Sequence, residues 1–152
     1  MVSEIFKNWP FRCASLGGMA STKSPELGYV ILYVPDVALA VAFYESAFGV
    51  QRRFVHESGT YAELATGATA LAFSDESVAP NKGFFEPNRP EKKAASAEVA
   101  FVVDDVRAAF DRAVSRGAIV VSEPVDQPWG QTVSYVRDLN GFLVEICSAV
   151  AK

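Results

Sequence analysis

The sequence predicts an α+β protein of paired βαβββ modules, whose two sheets can curl into an incomplete barrel, with one flat sheet or a ferredoxin-like arrangement as the alternatives. Three observations carry that expectation. The apolar run "YVILYV", opening at Tyr29, is answered by "EVAFVV", opening at Glu98. Each run is followed by an acidic residue, an alanine-rich segment and a glycine: "PDVALAVAFYESAFG" in the first copy and "DDVRAAFDRAVSRG" in the second. Three further strand-like stretches, separated by turn residues, then complete each copy. One supersecondary unit written twice accounts for all three.

Residues 29–34 and 99–103 are apolar on both faces. Short β-branched and aromatic runs of this kind predict strands covered on at least one side by a helix. Asp36 is placed to cap such a helix, with Val37, Ala40, Val41 and Tyr44 on one stripe and Gly49 at its end. In the second copy Asp104 or Asp105 is the cap. Val106, Ala109, Phe110, Ala113 and Val114 form the stripe, and Gly117 terminates it. Aligning Val34 with Val103 also sets Asp36 on Asp105 and Val37 on Val106.

The remaining strands are expected at "QRRFVHE", "YAELAT" and "TALAFSD", parted by Ser58-Gly59 and Gly67. Their counterparts are "AIVVSEPV", "TVSYVRD" and "FLVEICSA", parted by Pro128-Trp129-Gly130 and Asn140-Gly141. Consecutive strands joined by short turns should lie antiparallel, with the helix covering one face. The organisation is then an N-terminal extension (1–26), a first module (27–74), a connection (75–97) and a second module with the C-terminus (98–152). Residues 27–148 together form one domain.

The leader holds Phe6, Trp9 and Phe11 but no continuous apolar region, so it is a poor secretory signal. It is expected to pack on this chain or on a partner. The connection contains Pro80, Pro87, Pro90 and the pair Phe84-Phe85. Long irregular connections are linkers, lids or binding loops, and these aromatics suit a cavity rim or a subunit contact as well as a plain linker.

The 152 residues carry a net charge of -4 and no clustered Lys or Arg, which argues against a nucleic-acid partner. No apolar run approaches the ~20 residues that cross a bilayer. Cys13 and Cys147 lack metal or redox spacing. They read as free thiols in a reducing, cytoplasmic setting. His56 is the sole histidine, so no Ser–His–carboxylate arrangement is readable, and Gly17-Gly18 lacks the context of a phosphate loop.

The head "YVILYVPDVALAVAFYESAFGV", with its "FY…FG" helix ending, and the tail "VRDLNGFLVEI" resemble the vicinal oxygen chelate family over residues 27–148. That family includes glyoxalase I, fosfomycin-resistance proteins, bleomycin-binding proteins and extradiol dioxygenases. The resemblance implies a glyoxalase-like cup, often completed by a dimer, so a C₂ homodimer is expected here. In metal-dependent relatives the cup holds one divalent ion. Tyr29, Ala72, Glu98 and Glu145 look like the four ligand positions. Ala72 supplies no donor, and Tyr29 is a poor ligand because its phenol titrates near ~10. The expectation is therefore no catalytic metal and no cofactor. Ring cleavage, which needs two histidines and a carboxylate at iron, is out of reach of a chain with one His.

Period-two alternation sends Tyr29, Ile31 and Tyr33 to one face. It does the same for Glu98, Ala100 and Val102, and for Leu143, Glu145 and Cys147. If the resemblance holds, these line the cup. Glu98, Glu145 and Tyr29 are then the candidate catalytic residues. Two neighbouring carboxylates raise one apparent pKa and can act as acid and base, as enolisation or isomerisation requires. They can equally anchor a cation against aromatic walls or hold the sheet together. Trp129 and Gln131 are expected at the opening, and Arg137 at a rim or simply on the surface.

The function expected is binding of a small organic molecule, with acid/base lyase or isomerase chemistry open to it. The alternatives are a metal-dependent lactoylglutathione-lyase type of enzyme with a rebuilt ligand set, and a non-catalytic drug-sequestering protein.

Overall fold

The computed structural model describes residues 24–78, 83 and 85–150. The expectations for the leader up to residue 23, Cys13 among them, and for Phe84 lie outside the described residues. The first repeat folds as β1 (Tyr29–Val34), α1 (Val37–Phe48), β2 (Arg52–Val55), β3 (Tyr61–Leu64) and β4 (Ala70–Asp75). A 3₁₀ turn at Glu76–Val78 follows. The second repeat gives β5 (Glu98–Val102), α2 (Val106–Ser115), β6 (Ile119–Asp126), β7 (Thr132–Arg137) and β8 (Leu143–Cys147).

The two sheets have the same order, β1-β4-β3-β2 and β5-β8-β7-β6. The three consecutive strands of each module are antiparallel, as their short turns require. The helical crossover carries the chain over the sheet, so the first strand joins the fourth in parallel. The two mixed sheets stay unclosed and form the incomplete barrel.

Local chemistry fixes the helices. The Asp36 carboxylate accepts Leu39 N–H at 2.8 Å, and that of Asp105, not Asp104, accepts Ala108 N–H at 2.9 Å. Gly49 closes α1 in the left-handed region at φ 74°. The expected stripes are buried in both helices, with Val114 half-buried. Val34, Leu64, Leu71 and Phe73 of the first sheet, and Val136, Val144 and Ile146 of the second, join the same core.

The modules meet through their helices, α1 against α2. Phe101 packs its ring 6.3 Å from Tyr44 and 5.3 Å from Phe48. The Tyr44 hydroxyl donates to Asp138 Oδ2 at 3.1 Å, both residues being fully buried. The "FY" helix ending and the "DLNG" turn therefore bind each other. Asp138 Oδ1 accepts the backbone N–H groups of Asn140 and Phe142 at 2.9 and 2.8 Å, which shapes the β7–β8 turn. Arg112 of α2 donates to the carbonyls of Ala47 and Phe48, both at 3.0 Å, satisfying the open end of α1. Among the described residues no helix is long and apolar enough to cross a membrane.

Candidate functional site

The face of the second sheet away from α2 gathers Glu98 and Ala100 from β5, Tyr135 from β7, and Glu145 and Cys147 from β8. Strand register places both Ala100 and Tyr135 directly opposite Glu145. The Tyr135 hydroxyl donates to Glu145 Oε2 at 2.9 Å. The Cys147 thiol and the Glu98 carboxyl lie near enough to Glu145 to feel its charge. Glu145 is thus the hub for three polar neighbours, Tyr135, Cys147 and Glu98.

The electrostatics follow from that hub. Glu98 is raised above the usual carboxylate range, first by lost hydration and then by the adjacent Glu145 charge and their hydrogen bond. Tyr135 is pushed up to about 12, chiefly because its hydroxyl is held by Glu145. Cys147 is pushed up to about 11, first by burial and then by the same carboxylate. The thiol therefore stays protonated near neutral pH and is no ready nucleophile. A carboxyl with raised proton affinity beside a second carboxyl anchored by a phenol sets a candidate acid next to a candidate base.

The corresponding face of the first sheet is arranged differently. Glu63 of β3 lies opposite Ala72 of β4. It accepts the Tyr61 hydroxyl at 3.2 Å and faces the Arg53 guanidinium at a long 3.9 Å. Burial, then the Glu63 charge, raises Tyr61, and Tyr29 adds to the effect. Tyr33 stacks on Phe85 with ring centroids 4.7 Å apart, so this aromatic of the connection covers the edge of β1.

Of the three candidate residues, Glu98 and Glu145 come together, whereas Tyr29 stands on the other sheet with Tyr61. Sequence reasoning did not single out Tyr135, Tyr61 or Glu63. Alternation within "TVSYVRD" and "YAELAT" was the signal for them. Trp129 is exposed and donates its indole N–H to Gln131 at 2.8 Å, while Gln131 donates to the Ser148 carbonyl. Arg137 donates to the carbonyls of Gly141, Arg89 and Pro90, fastening the connection to the β7–β8 turn. His56 pairs with Ser58 at 2.8 Å in the β2–β3 turn.

A divalent ion of the kind the resemblance implies is poorly served by these donors. Ala72 offers none, and the carboxylate opposite it, Glu63, is engaged by Tyr61. Glu145 is engaged by Tyr135, and Tyr29 is on the other sheet. Among the described residues no three His, Cys, Asp or Glu side chains are grouped to hold an ion. The donor set does not fit the metal. A cavity of about 690 Å³ lies at the module junction along β5. Glu98 lines it but Glu145 does not, so the carboxylate face and the cavity are neighbouring features.

Residues 26–146 match the family model described as Glyoxalase/Bleomycin resistance protein/Dioxygenase superfamily. TioX from Micromonospora sp. ML1 is similar at 24% identity and a TM-score of 0.62, covering 82% of this chain and 98% of that one. A glyoxalase-related enzyme from Fulvimarina pelagi is similar at 21% identity and a TM-score of 0.66, covering 82% and 88%. An integron cassette protein from V. cholerae reaches 25% identity and a TM-score of 0.59, covering 83% and 96%. No curated protein matches.

Proposed function

This chain belongs to the Glyoxalase/Bleomycin resistance protein/Dioxygenase superfamily, and from that premise we propose that it binds a small organic molecule without a catalytic metal. The ligand lies on the carboxylate-bearing face of the second module. The observation that carries this reading is the Glu98–Glu145 pair, with Tyr135 fixing one oxygen of Glu145 at 2.9 Å. Glu145 is the base in this scheme, and Glu98, whose proton affinity is raised, is the acid. A ligand with an acidic C–H next to a carbonyl would lose a proton to Glu145 and gain one at oxygen from Glu98. Lyase or isomerase chemistry follows from that exchange.

A face that does proton chemistry works best away from bulk water. Glu98, Ala100 and Val102 are exposed on β5, and so are Ile31 and Phe54 on the first sheet. A C₂ homodimer that covers Ala100, Val102, Ile31 and Phe54 belongs to the same reading, as does a reducing, cytoplasmic setting. The test is a thermal-shift screen of a ligand library with and without EDTA, followed by mass analysis of each hit. Stabilising ligands should keep their effect after chelation. Glu98→Gln and Glu145→Gln should each weaken binding or turnover about tenfold, ~1.4 kcal/mol, with the fold intact. Hits that vanish with EDTA, or that ignore both substitutions, would overturn the reading.

A further inference from the structure

Strand β5 is the terminal strand of its sheet. Val103 N–H donates to the Cys147 carbonyl at 2.8 Å, so Val103, Phe101 and Val99 turn their backbone groups toward β8. Backbone direction alternates along a strand, so Glu98, Ala100 and Val102 turn theirs outward. Among the described residues these outward groups have no hydrogen-bond partner. All of β5 lines the junction cavity, whose opposite wall is built from Val30, Phe48, Val50 and Leu71. An unpaired strand edge is a template for another extended chain, and here it faces an apolar wall.

We propose that the junction cavity is a binding site for a peptide or peptide-like molecule that adds to β5 as an extra strand. The outward groups recur every second residue, about 7 Å apart, which is the repeat of amides along one side of an extended backbone. The apolar wall then receives side chains from the added strand, as other strand-addition sites do. At about 690 Å³ the cavity falls within the usual range of small-ligand pockets. Thr66 and Thr69 on its rim already donate to the carbonyls of Thr69 and Leu27, so they ask little of a ligand. Glu98 is the sole charged side chain among the lining residues. It sits at the first residue of β5, where its carboxyl can pair with a hydrogen-bonding group at that end of the added strand. The inference shares Glu98 with the proposed acid/base site but does not rest on that reading, because it is carried by the outward backbone groups of β5 and the apolar wall.

The probe is the tripeptide amide Val-Leu-Val-NH₂, added to the full chain and compared with its analogue N-methylated at alternate amides. Binding is followed by ¹⁵N–¹H shifts and by amide exchange at Ala100 and Val102. The tripeptide should slow exchange at both residues, and N-methylation should weaken it about tenfold by removing hydrogen bonds to the edge. Ala100→Pro removes an outward N–H while sparing the β8 ladder, a change that edge strands accept. It should weaken the tripeptide by a similar factor. If that variant does not fold, the two probes on the unaltered protein decide. Equal affinity for both probes, or binding without protection of Ala100 and Val102, would overturn the proposal. So would an edge already protected in the peptide-free dimer, which would assign it to a second copy of the chain.

Discussion

In the first module the carboxylate away from the helix, Glu63, is buried on β3 between Tyr61 and the Arg53 guanidinium. In the second, the carboxylate sits one strand over: Glu145 is on β8, opposite Tyr135, and its companion Glu98 is exposed. The same cross-strand pair of positions thus holds Glu63 with Ala72 in one copy and Tyr135 with Glu145 in the other. The helices have diverged in parallel. Apart from the buried Tyr44, α1 carries only Glu45 and Ser46 as polar residues, and it packs on its own sheet, on α2 and on Phe101. Helix α2 exposes Arg107, Asp111 and Arg112 on its outer side. A duplicated backbone can divide its labour: the first copy supplies the packing hub and the second keeps polar groups within reach of solvent.

That division predicts its largest effect at Tyr44. Tyr44→Ala empties a fully buried aromatic site shared by both modules and should cost about 3–5 kcal/mol in urea unfolding. Loss of less than ~1 kcal/mol would mean that α1 is no hub. Tyr44→Phe keeps the ring but leaves Asp138 one donor short, which should cost about 1–3 kcal/mol. Asp138 also gives the link a pH signature. Burial raises it, against the pull of the backbone N–H groups and the Tyr44 hydroxyl. A folded-state pKa above the unfolded value, ~3.9, favours folding while the group is protonated. Stability from this residue is therefore full below that pH and falls as pH rises through the raised value. In Asp138→Asn the fall should disappear, as urea midpoints across acidic pH would show.

Arg112→Ala comes next. It leaves the Ala47 and Phe48 carbonyls without the partner that α2 provides, and should cost about 1 kcal/mol. The exposure of Arg112 keeps the figure small. If α1 and α2 are coupled as described, the double variant with Tyr44→Phe should depart from additivity by more than ~0.5 kcal/mol. Additive losses would make the two links independent.

Much of this arrangement was legible because it is written locally. Asp36, Asp105, Gly49 and Gly117 punctuate the helices by capping chemistry that acts within one turn, and the strands follow from alternation and turn residues. The long-range pairings were not legible. Tyr44 and Asp138 were visible only as letters of separate motifs, since nothing local links residues 94 positions apart. Alternation within their strands puts Tyr61 and Glu63 on one face of β3 and Tyr135 on one face of β7, but it does not say which strand lies beside them. That depends on β4 and β8 standing between the first and third strands of each module. Tyr29 shows the same limit. Its face was readable, yet its grouping with Tyr61, rather than with Glu98 and Glu145, depends on the packing of whole modules.

The smallest effect expected is a displaced titration, and it sharpens the comparison most. Glu98 is raised by lost hydration first and by Glu145 second. Glu145→Gln removes the neighbouring charge but keeps an acceptor for the Tyr135 hydroxyl. Glu98 should then titrate lower than in the parent protein, while staying above the ordinary carboxylate range because its hydration has not been restored. Glu63→Gln makes the equivalent change on the other sheet, where no interaction with Glu98 is seen among the described residues, and should leave that titration in place. Side-chain ¹³C shifts of Glu98, followed across acidic pH in the three proteins, read both outcomes directly. An unmoved Glu98 in Glu145→Gln would dissolve the carboxylate pair. Equal movement in both variants would tie the two faces into one electrostatic unit, as a cup shared between modules of two chains would require.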